Sequence, residues 1–291
     1  MLQSVIKPPQ AGWRTLDLPR IIFVLGVLAI VVPTMYDVAR LTWTTEQGGH
    51  APIILATGLW LLWREGQGVE VRPPTGWLSV TLLLPLLALY AVGRITGILE
   101  IEAIVMYACL VMAIYSLVGR AMIRALWFPL IYLALALPPP DSLVAAITQP
   151  IKIAISDAAV GILYAVGYPI ASLGVMIQIA NYQLLVAAAC AGLNSIITLS
   201  AICLFYAYLR HKGDWKGFLI VSIFILPIAI FSNFIRVLIL ILVTYHFGDA
   251  AGQGFIHDFA GLTVFAIAIV TIFAIDALAS RIRERHQGKQ Q

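Results

Sequence analysis

Arg236 is the residue whose type and position most clearly suggest chemistry. It follows Ser232-Asn233-Phe234-Ile235 and precedes an aliphatic run, so it lies within an apolar stretch rather than in a loop. A charge inside a membrane span costs roughly 2.5–3.5 kcal/mol on insertion scales, which makes such a residue a functional candidate. The alternative is a structural anchor whose guanidinium snorkels to the outer lipid head groups.

Cys190 and His257 are predicted to lie at nearly the same membrane depth as Arg236. Each of the three is 20 to 24 residues from a basic residue that marks the inner end of its predicted helix. That separation is about 30–36 Å of helix, close to one hydrocarbon thickness. Consecutive antiparallel helices usually pack as neighbours, so we expect the three side chains to cluster at the outer membrane surface. The inner markers are Arg210 for Cys190, Lys216 for Arg236 and Arg281 for His257.

Each member of this predicted cluster also has an ordinary structural interpretation, and spacing alone names no activity. A lone cysteine in an apolar helix is usually a small buried hydrophobe, the interpretation we adopt for Cys109 and Cys203. A histidine at the interface can simply cap a helix. Of the other four histidines, His50 and His246 are predicted on the outer side and are alternatives to His257 for the same role. His211 and His286 are predicted on the cytoplasmic side.

The composition requires a membrane protein to position these residues. Hydrophobic residues make up 61% of the 291 residues and charged residues only 11%. A soluble chain carries about 25% charged residues, and disorder requires low hydrophobicity. Long unbroken apolar runs also exclude a β-barrel, whose strands alternate polar and apolar residues. The sequence predicts an all-α polytopic membrane protein, and the scattered basic residues do not form a nucleic-acid-binding patch.

The chain is predicted to be a single transmembrane domain, 1–291, with about eight spans. Basic residues favour cytoplasmic loops. If both termini are cytoplasmic, fourteen Lys and Arg residues lie in inner segments and only three, Arg40, Arg94 and Lys152, in outer segments. This asymmetry predicts that both termini are cytoplasmic. The predicted spans are 21–38, 51–63, 77–93, 103–118, 123–138, 185–209, 217–245 and 257–280.

The segment 139–184 is the one long outer segment in this arrangement. It opens with prolines that break the preceding helix. Residues 150–170 are apolar but interrupted by Lys152 and Asp157, which predicts a helix that lies in the outer interface or re-enters it. Alternation over 175–180, followed by Asn181-Tyr182, predicts a short strand or hairpin just before the Cys190 helix.

Three motifs resemble the exosortase/archaeosortase family of membrane-embedded cysteine transpeptidases. They are Val186-Ala187-Ala188-Ala189-Cys190-Ala191-Gly192-Leu193-Asn194-Ser195, Asn233-Phe234-Ile235-Arg236 and His257-Asp258-Phe259-Ala260-Gly261. The order Cys, Arg, His and the eight-span layout also agree, and the close similarity covers about residues 138–275. The family often has Glu and Ser where this chain has Ala188 and Ala191, which indicates a divergent subtype.

The resemblance implies an enzyme that cleaves C-terminal sorting signals of exported proteins. The family's substrates end in a short motif, a hydrophobic helix and a basic end, and its bacteria often make exopolysaccharide. We therefore expect a multi-pass protein of the bacterial inner membrane with its site on the extracytoplasmic side. The expected partners are the hydrophobic tail of the substrate, membrane lipid and an acceptor nucleophile of unknown identity, with no nucleic acid, metal or other cofactor.

The resemblance also implies roles for the clustered residues. Cys190 would be the nucleophile that forms a thioacyl enzyme, His257 the general acid and base, and Arg236 the group that stabilises the oxyanion or the thiolate. Asn194 and Asn233 lie about one turn from Cys190 and Arg236 and would support them, or would instead make helix–helix hydrogen bonds. The predicted strand over 175–180 would offer pairing to an extended substrate segment.

Two other functions compete with this one. In a transporter, Arg236 would bind an anionic substrate and Pro227 would bend its helix, although the sequence has only one deeply placed charge and no repeat symmetry. The chain could also be a non-catalytic subunit of an exopolysaccharide assembly system. A lipid acyltransferase using Cys190 is a further alternative, whereas an intramembrane metalloprotease is disfavoured because His-Glu-x-x-His does not occur.

Overall fold

The computed structural model describes residues 18–45, 48–74, 77–185, 192–248 and 255–287. Within these ranges the chain forms nine helices and one three-stranded antiparallel sheet. The elements are α1 (Leu18–Thr42), α2 (Ala51–Gly66), α3 (Leu78–Thr96), α4 (Leu99–Ala125), α5 (Trp127–Ala134), α6 (Asp141–Ala165), β1 (Ile170–Leu173), β2 (Met176–Ile179), β3 (Tyr182–Leu185), α7 (Gly192–Arg210), α8 (Trp215–Phe247) and α9 (Phe255–Gln287).

The structure supports a polytopic helical membrane protein but does not confirm eight spans. In the described ranges, four helices are long and apolar enough to cross a membrane, and two shorter apolar helices accompany them. The fourth and fifth predicted spans, 103–118 and 123–138, do not match single elements, because α4 continues to Ala125 past a non-helical residue at Gly119 and α5 follows at Trp127. The four long segments are Ile21–Thr42, Leu99–Ala125, Asp141–Ala165 and Trp215–Phe247; the shorter ones are Thr81–Thr96 and Ile197–Arg210.

The last three helices pack against one another, as predicted. Each of α7, α8 and α9 contacts the other two. Buried residues of all three, among them Cys203, Ile225 and Ala268, form one apolar core. Of the N-terminal helices, α1 and α3 pack on α4, while α2 and α5 share a second buried core with α7, against which Phe218 of α8 also packs. The three helices that carry or adjoin the predicted site therefore share one packing unit.

A buried carboxylate, Asp276, ties α7 to α9 near their predicted cytoplasmic ends. The His211 Nε2 atom lies 2.7 Å from one Asp276 oxygen, and the Tyr206 hydroxyl donates to the other at 2.7 Å. The Arg210 Nε atom lies 3.7 Å from the same carboxylate. Because a buried charge is stable only when it is paired and hydrogen-bonded, this network fixes the two helices relative to each other.

The turn between α7 and α8 continues this network. Asp214 is the N-cap of α8 and accepts a hydrogen bond from the Gly217 N–H at 3.0 Å, and Arg283 of α9 donates to the other oxygen of the same carboxylate. The Gly217 N–H and the Arg283 guanidinium both stabilise the ionised carboxylate and lower the pKa of Asp214. All three helices are thus joined by polar contacts at the same end.

A second buried charge, Glu102 of α4, contradicts the expectation that Arg236 is the only deeply placed charge. Arg94 of α3 bridges Glu102 and Asp37 with nitrogen–oxygen distances of 2.7 Å to each. The Thr34 hydroxyl donates to Glu102 at 2.7 Å and also lies 3.1 Å from the Tyr90 hydroxyl. Glu102 and Asp276 are both buried, and their partners lie on other helices, so a scan along one apolar run does not reveal them.

The predicted outer segment contains a long helix followed by a small sheet. The interfacial helix predicted over 150–170 is part of α6, which begins at Asp141; its position relative to a membrane stays a prediction. Two-residue turns join β1 to β2 and β2 to β3, with Gly174 and Ala180 at positive φ angles of 63° and 49°. The hairpin prediction over 175–180 is therefore confirmed.

The pairing role predicted for that strand is wrong. The strand over 175–180 is β2, which lies in the centre of the sheet and is paired with β1 on one side and β3 on the other. A central strand has no free edge for an added peptide. The sequence pattern predicted the strand from its own alternation, but the order of the strands depends on residues on both sides of it.

Replacing Asp276 with alanine is expected to destabilise the protein. The change leaves the buried His211 and the half-buried Tyr206 without their acceptor, and breaking a buried pair in this way costs about 3–5 kcal/mol. Unfolding in detergent would measure the loss. Glu70→Ala is the control, because Glu70 pairs with Arg72 between two exposed side chains, and such surface pairs contribute little to stability. Equal losses in the two variants would contradict the role given to Asp276.

Candidate active site

Arg236 lies on a buried polar stretch of α8. The helix runs without interruption from Trp215 to Phe247, through Pro227. Ser232, Asn233 and Arg236 are all buried, and only 6% of the Arg236 surface is exposed. A side chain that snorkels to lipid head groups would lie at the outside of the bundle, so the anchor interpretation of Arg236 does not fit. Its guanidinium is instead enclosed by protein.

The small sheet and α6 pack against α8 directly beyond Arg236. Val237 and Ile241 of α8 belong to a buried apolar cluster that also includes Ile155 and Ala159 of α6 and Leu184 of β3. The helices α7 and α9 also pack against α8, with buried contacts at Val221, Ile225 and Ala229. The small sheet and α6 therefore cover α8 directly beyond Arg236.

Cys190 lies outside the described residues, between the end of β3 and the start of α7. Both flanking elements are positioned on the same helix, because β3 and α7 each pack against α8. Only six residues, 186–191, connect Leu185 to Gly192, so the chain that carries Cys190 is attached on both sides to elements that pack on α8. Asn194 lies in the first turn of α7, and its side chain is outside the described part of the structure.

His257 is the third residue of α9 and lies in its first turn. The backbone of α9 packs against α8 and α7, while the His257 side chain is outside the described part. The segments from Lys216 to Arg236 and from His257 to Arg281 are entirely helical, so the helix lengths used to predict their depths hold. The same measurement for Cys190 extends two residues beyond the described start of α7.

The two outer rivals of His257 have different surroundings. His246 is exposed near the end of α8, with its Nε2 atom 3.4 Å from the Tyr168 hydroxyl. His50 is buried beside α5, where its Nε2 atom lies 3.3 Å from the Leu135 carbonyl oxygen, and burial lowers its pKa. His50 therefore lies between α2 and α5, which carry none of the three predicted site residues. Of the two histidines predicted on the cytoplasmic side, His211 lies with its Nε2 atom 2.7 Å from the Asp276 carboxylate.

Comparison with protein families gives one match. The family model described as transmembrane exosortase (Exosortase_EpsH) matches residues 42–274, most of the 291-residue chain. The matched range includes Cys190, Arg236 and His257. The comparisons with curated proteins and with solved structures find no match.

Thiol labelling from the outer side should distinguish the three cysteines. Cys109 and Cys203 are only 4% and 2% exposed, so a membrane-impermeant maleimide should react with them at least tenfold more slowly than with Cys190. Mass spectrometry of the labelled protein would identify the modified residue. The Cys109→Ser/Cys203→Ser double variant should keep the fast labelling, and Cys190→Ser should lose it. Faster modification of Cys109 or Cys203 would contradict this expectation.

Proposed function

Because the chain belongs to the transmembrane exosortase family, we propose that it is a cysteine transpeptidase of the bacterial inner membrane. It cleaves the C-terminal sorting signals of exported proteins at the extracytoplasmic face. The observation that carries the proposal is the buried guanidinium of Arg236, on a helix that contacts both elements flanking Cys190. The proposal extends the family assignment to a reaction, a substrate class and three catalytic residues.

Cys190 is the proposed nucleophile. Its thiolate attacks the scissile carbonyl carbon, and the tetrahedral intermediate collapses to a thioester with loss of the C-terminal part of the substrate as an amine. The released amine takes its proton from His257, which first accepted the proton of the thiol. An acceptor amine or water then attacks the thioester carbon and regenerates the thiol. No metal or other cofactor takes part in these steps.

Arg236 supplies the positive charge for this reaction. A free thiol has a pKa near 8.5 and is mostly protonated at neutral pH, so the nucleophile requires a nearby cation or base. The same guanidinium can donate hydrogen bonds to the oxyanion of the tetrahedral intermediate. A donor in such a position is worth about 3–4 kcal/mol in other enzymes, and enclosure away from water strengthens it. The low exposure of Arg236 supports this role.

The outer depth of the proposed site suits a substrate that is anchored in the membrane. A sorting tail of about 20 apolar residues crosses the bilayer as a helix, and the residues before it emerge at the outer surface. About 30 Å of helix separates Arg236 from Lys216 at the predicted cytoplasmic end of α8. A cleavage motif directly before the tail would therefore reach the level of Arg236 without the tail leaving the membrane.

The decisive experiment is mass spectrometry of the C-terminus of a substrate. A protein with a matching tail is co-expressed with the wild-type chain, with Cys190→Ala or with Cys203→Ala as the matched control. Wild type and Cys203→Ala should yield a substrate shortened at its sorting motif, whereas Cys190→Ala should leave it intact at an equal enzyme level. A free carboxylate at the new C-terminus identifies hydrolysis, and an added mass identifies transfer. Cleavage by Cys190→Ala would overturn the proposal.

Arg236→Ala and His257→Ala test the two remaining roles. Loss of a charge-stabilising donor typically lowers turnover about 10²–10³-fold, and loss of general acid–base catalysis about 10²–10⁴-fold. The controls are Arg72→Ala, an exposed arginine in a loop, and His246→Ala, the exposed rival on α8. Arg236→Ala and His257→Ala should cleave the substrate slowly, whereas Arg72→Ala and His246→Ala should cleave it at rates near wild type. If His246→Ala is the slow histidine variant, the assignment of the acid–base group to His257 is wrong.

A further inference from the structure

The small sheet has two edges, and they differ in what lies beside them. Because β2 is central, the edges are β1 and β3. We propose that the edge of β3 binds an extended segment of the peptide substrate as a fourth strand and leads its scissile bond to Cys190. This inference rests on the proposed function and adds the place and manner of substrate binding.

The register of the hairpin determines which backbone groups of β3 face outward. Residues that flank a two-residue turn form a hydrogen-bonded pair, so Ile179 pairs with Tyr182 and, two residues on, Ile177 pairs with Leu184. Between them, the N–H and C=O of Gln183 point away from β2. The hydrogen bond from the Ala180 N–H to the Pro169 carbonyl, 3.0 Å long, agrees with this alternation.

The edge of β3 can therefore accept a new strand. Among the residues that the structure describes, no other strand pairs with β3, and Gln183 is exposed. Unpaired edge groups of this kind are the basis of peptide recognition by strand addition, in which backbone hydrogen bonds provide affinity. An added strand would lie about 4.8 Å from β3.

The surrounding elements favour β3 over β1. The sheet lies across two helices, with β1 packed on α6 and β3 packed on α8. The edge of β3 thus lies on the α8 side of the sheet, away from α6. Leu184 shares a buried cluster with Val237, the residue after Arg236, and β3 ends five residues before Cys190. A peptide on this edge would lie beside the segment of α8 that carries Arg236 and next to the chain that leads to Cys190.

The two faces of the sheet predict which side chains the bound segment carries. On one face, Ile177 and Leu184 are buried against the helices; on the other, Gln178 and Gln183 are exposed. An added strand continues this alternation, since successive side chains point to opposite faces. The site therefore suits an extended peptide with apolar or small residues toward α8 and polar residues toward the outer solution.

Photo-cross-linking compares the two edges directly. The photoreactive residue p-benzoylphenylalanine replaces either Gln183 or Ala171, which are both exposed and lie on the same face of the sheet, on β3 and β1 respectively. Cys190→Ala in both keeps the co-expressed substrate intact. We expect the substrate cross-link at 183 to exceed that at 171 at least tenfold. Equal yields, or a higher yield at 171, would overturn the inference.

Proline substitution tests the backbone contact. Gln183→Pro removes the outward-facing N–H of β3, and Ser172→Pro removes the corresponding N–H of β1; both sites are edge positions, where proline is tolerated in sheets. Gln183→Pro should lower kcat/KM for cleavage at least tenfold, mainly through KM, and Ser172→Pro should stay within twofold of wild type. Wild-type kinetics in Gln183→Pro would overturn the inference. If Gln183→Pro does not fold, the cross-linking comparison decides.

The outcomes separate this inference from the proposed function. If the wild-type chain leaves the substrate uncleaved, or if Cys190→Ala cleaves it, the proposed function fails and the inference fails with it. If wild type cleaves through Cys190 while the cross-link forms at 171, only the strand-addition inference fails.

Discussion

Enclosing one guanidinium within an apolar bundle is the constraint around which the C-terminal half of this protein is organised. Moving a charge away from water is unfavourable unless protein groups replace the lost hydration. Arg236 is buried on α8, and one helix alone cannot surround it. The long helix α6, the three-stranded sheet, α7 and α9 all contact α8. The part of the chain from α6 to β3 therefore helps to enclose the charge, in addition to connecting the N-terminal helices to α7.

The sequence was most informative where a residue type conflicts with its surroundings. The turn residues between alternating apolar positions predicted a hairpin that the structure bears out. Arg236, in an aliphatic run, is buried on α8, and its catalytic role stays a prediction. The neighbouring arrangement of the last three helices followed from chain order and short connections. The side chains of Cys190, Asn194 and His257 lie outside the described residues, so their roles stay predictions.

Other features could not be predicted because they depend on partners far away in the sequence. Glu102 is buried because Arg94 and Thr34 on other helices meet it, and Asp276 because His211, 65 positions away, approaches it to 2.7 Å. Hydropathy averages a window along one segment and contains no information about such pairs. The central position of β2 in the sheet likewise depends on the strands β1 and β3 on either side of it.

The polar contacts of Asp276 and Asp214 give the last three helices a geometric property that their sequences do not suggest. These contacts join α7, α8 and α9 at one end, and the proposed chemistry lies at the other. In helices joined at one end, a small rotation at that end becomes a larger displacement at the other. A rotation of about 2° at the joined end moves a point about 30 Å along the axis by about 1 Å, a displacement large enough to change a reaction rate a hundredfold. The accuracy of the remote end is therefore set by the stiffness of the joint at the opposite end of the three helices.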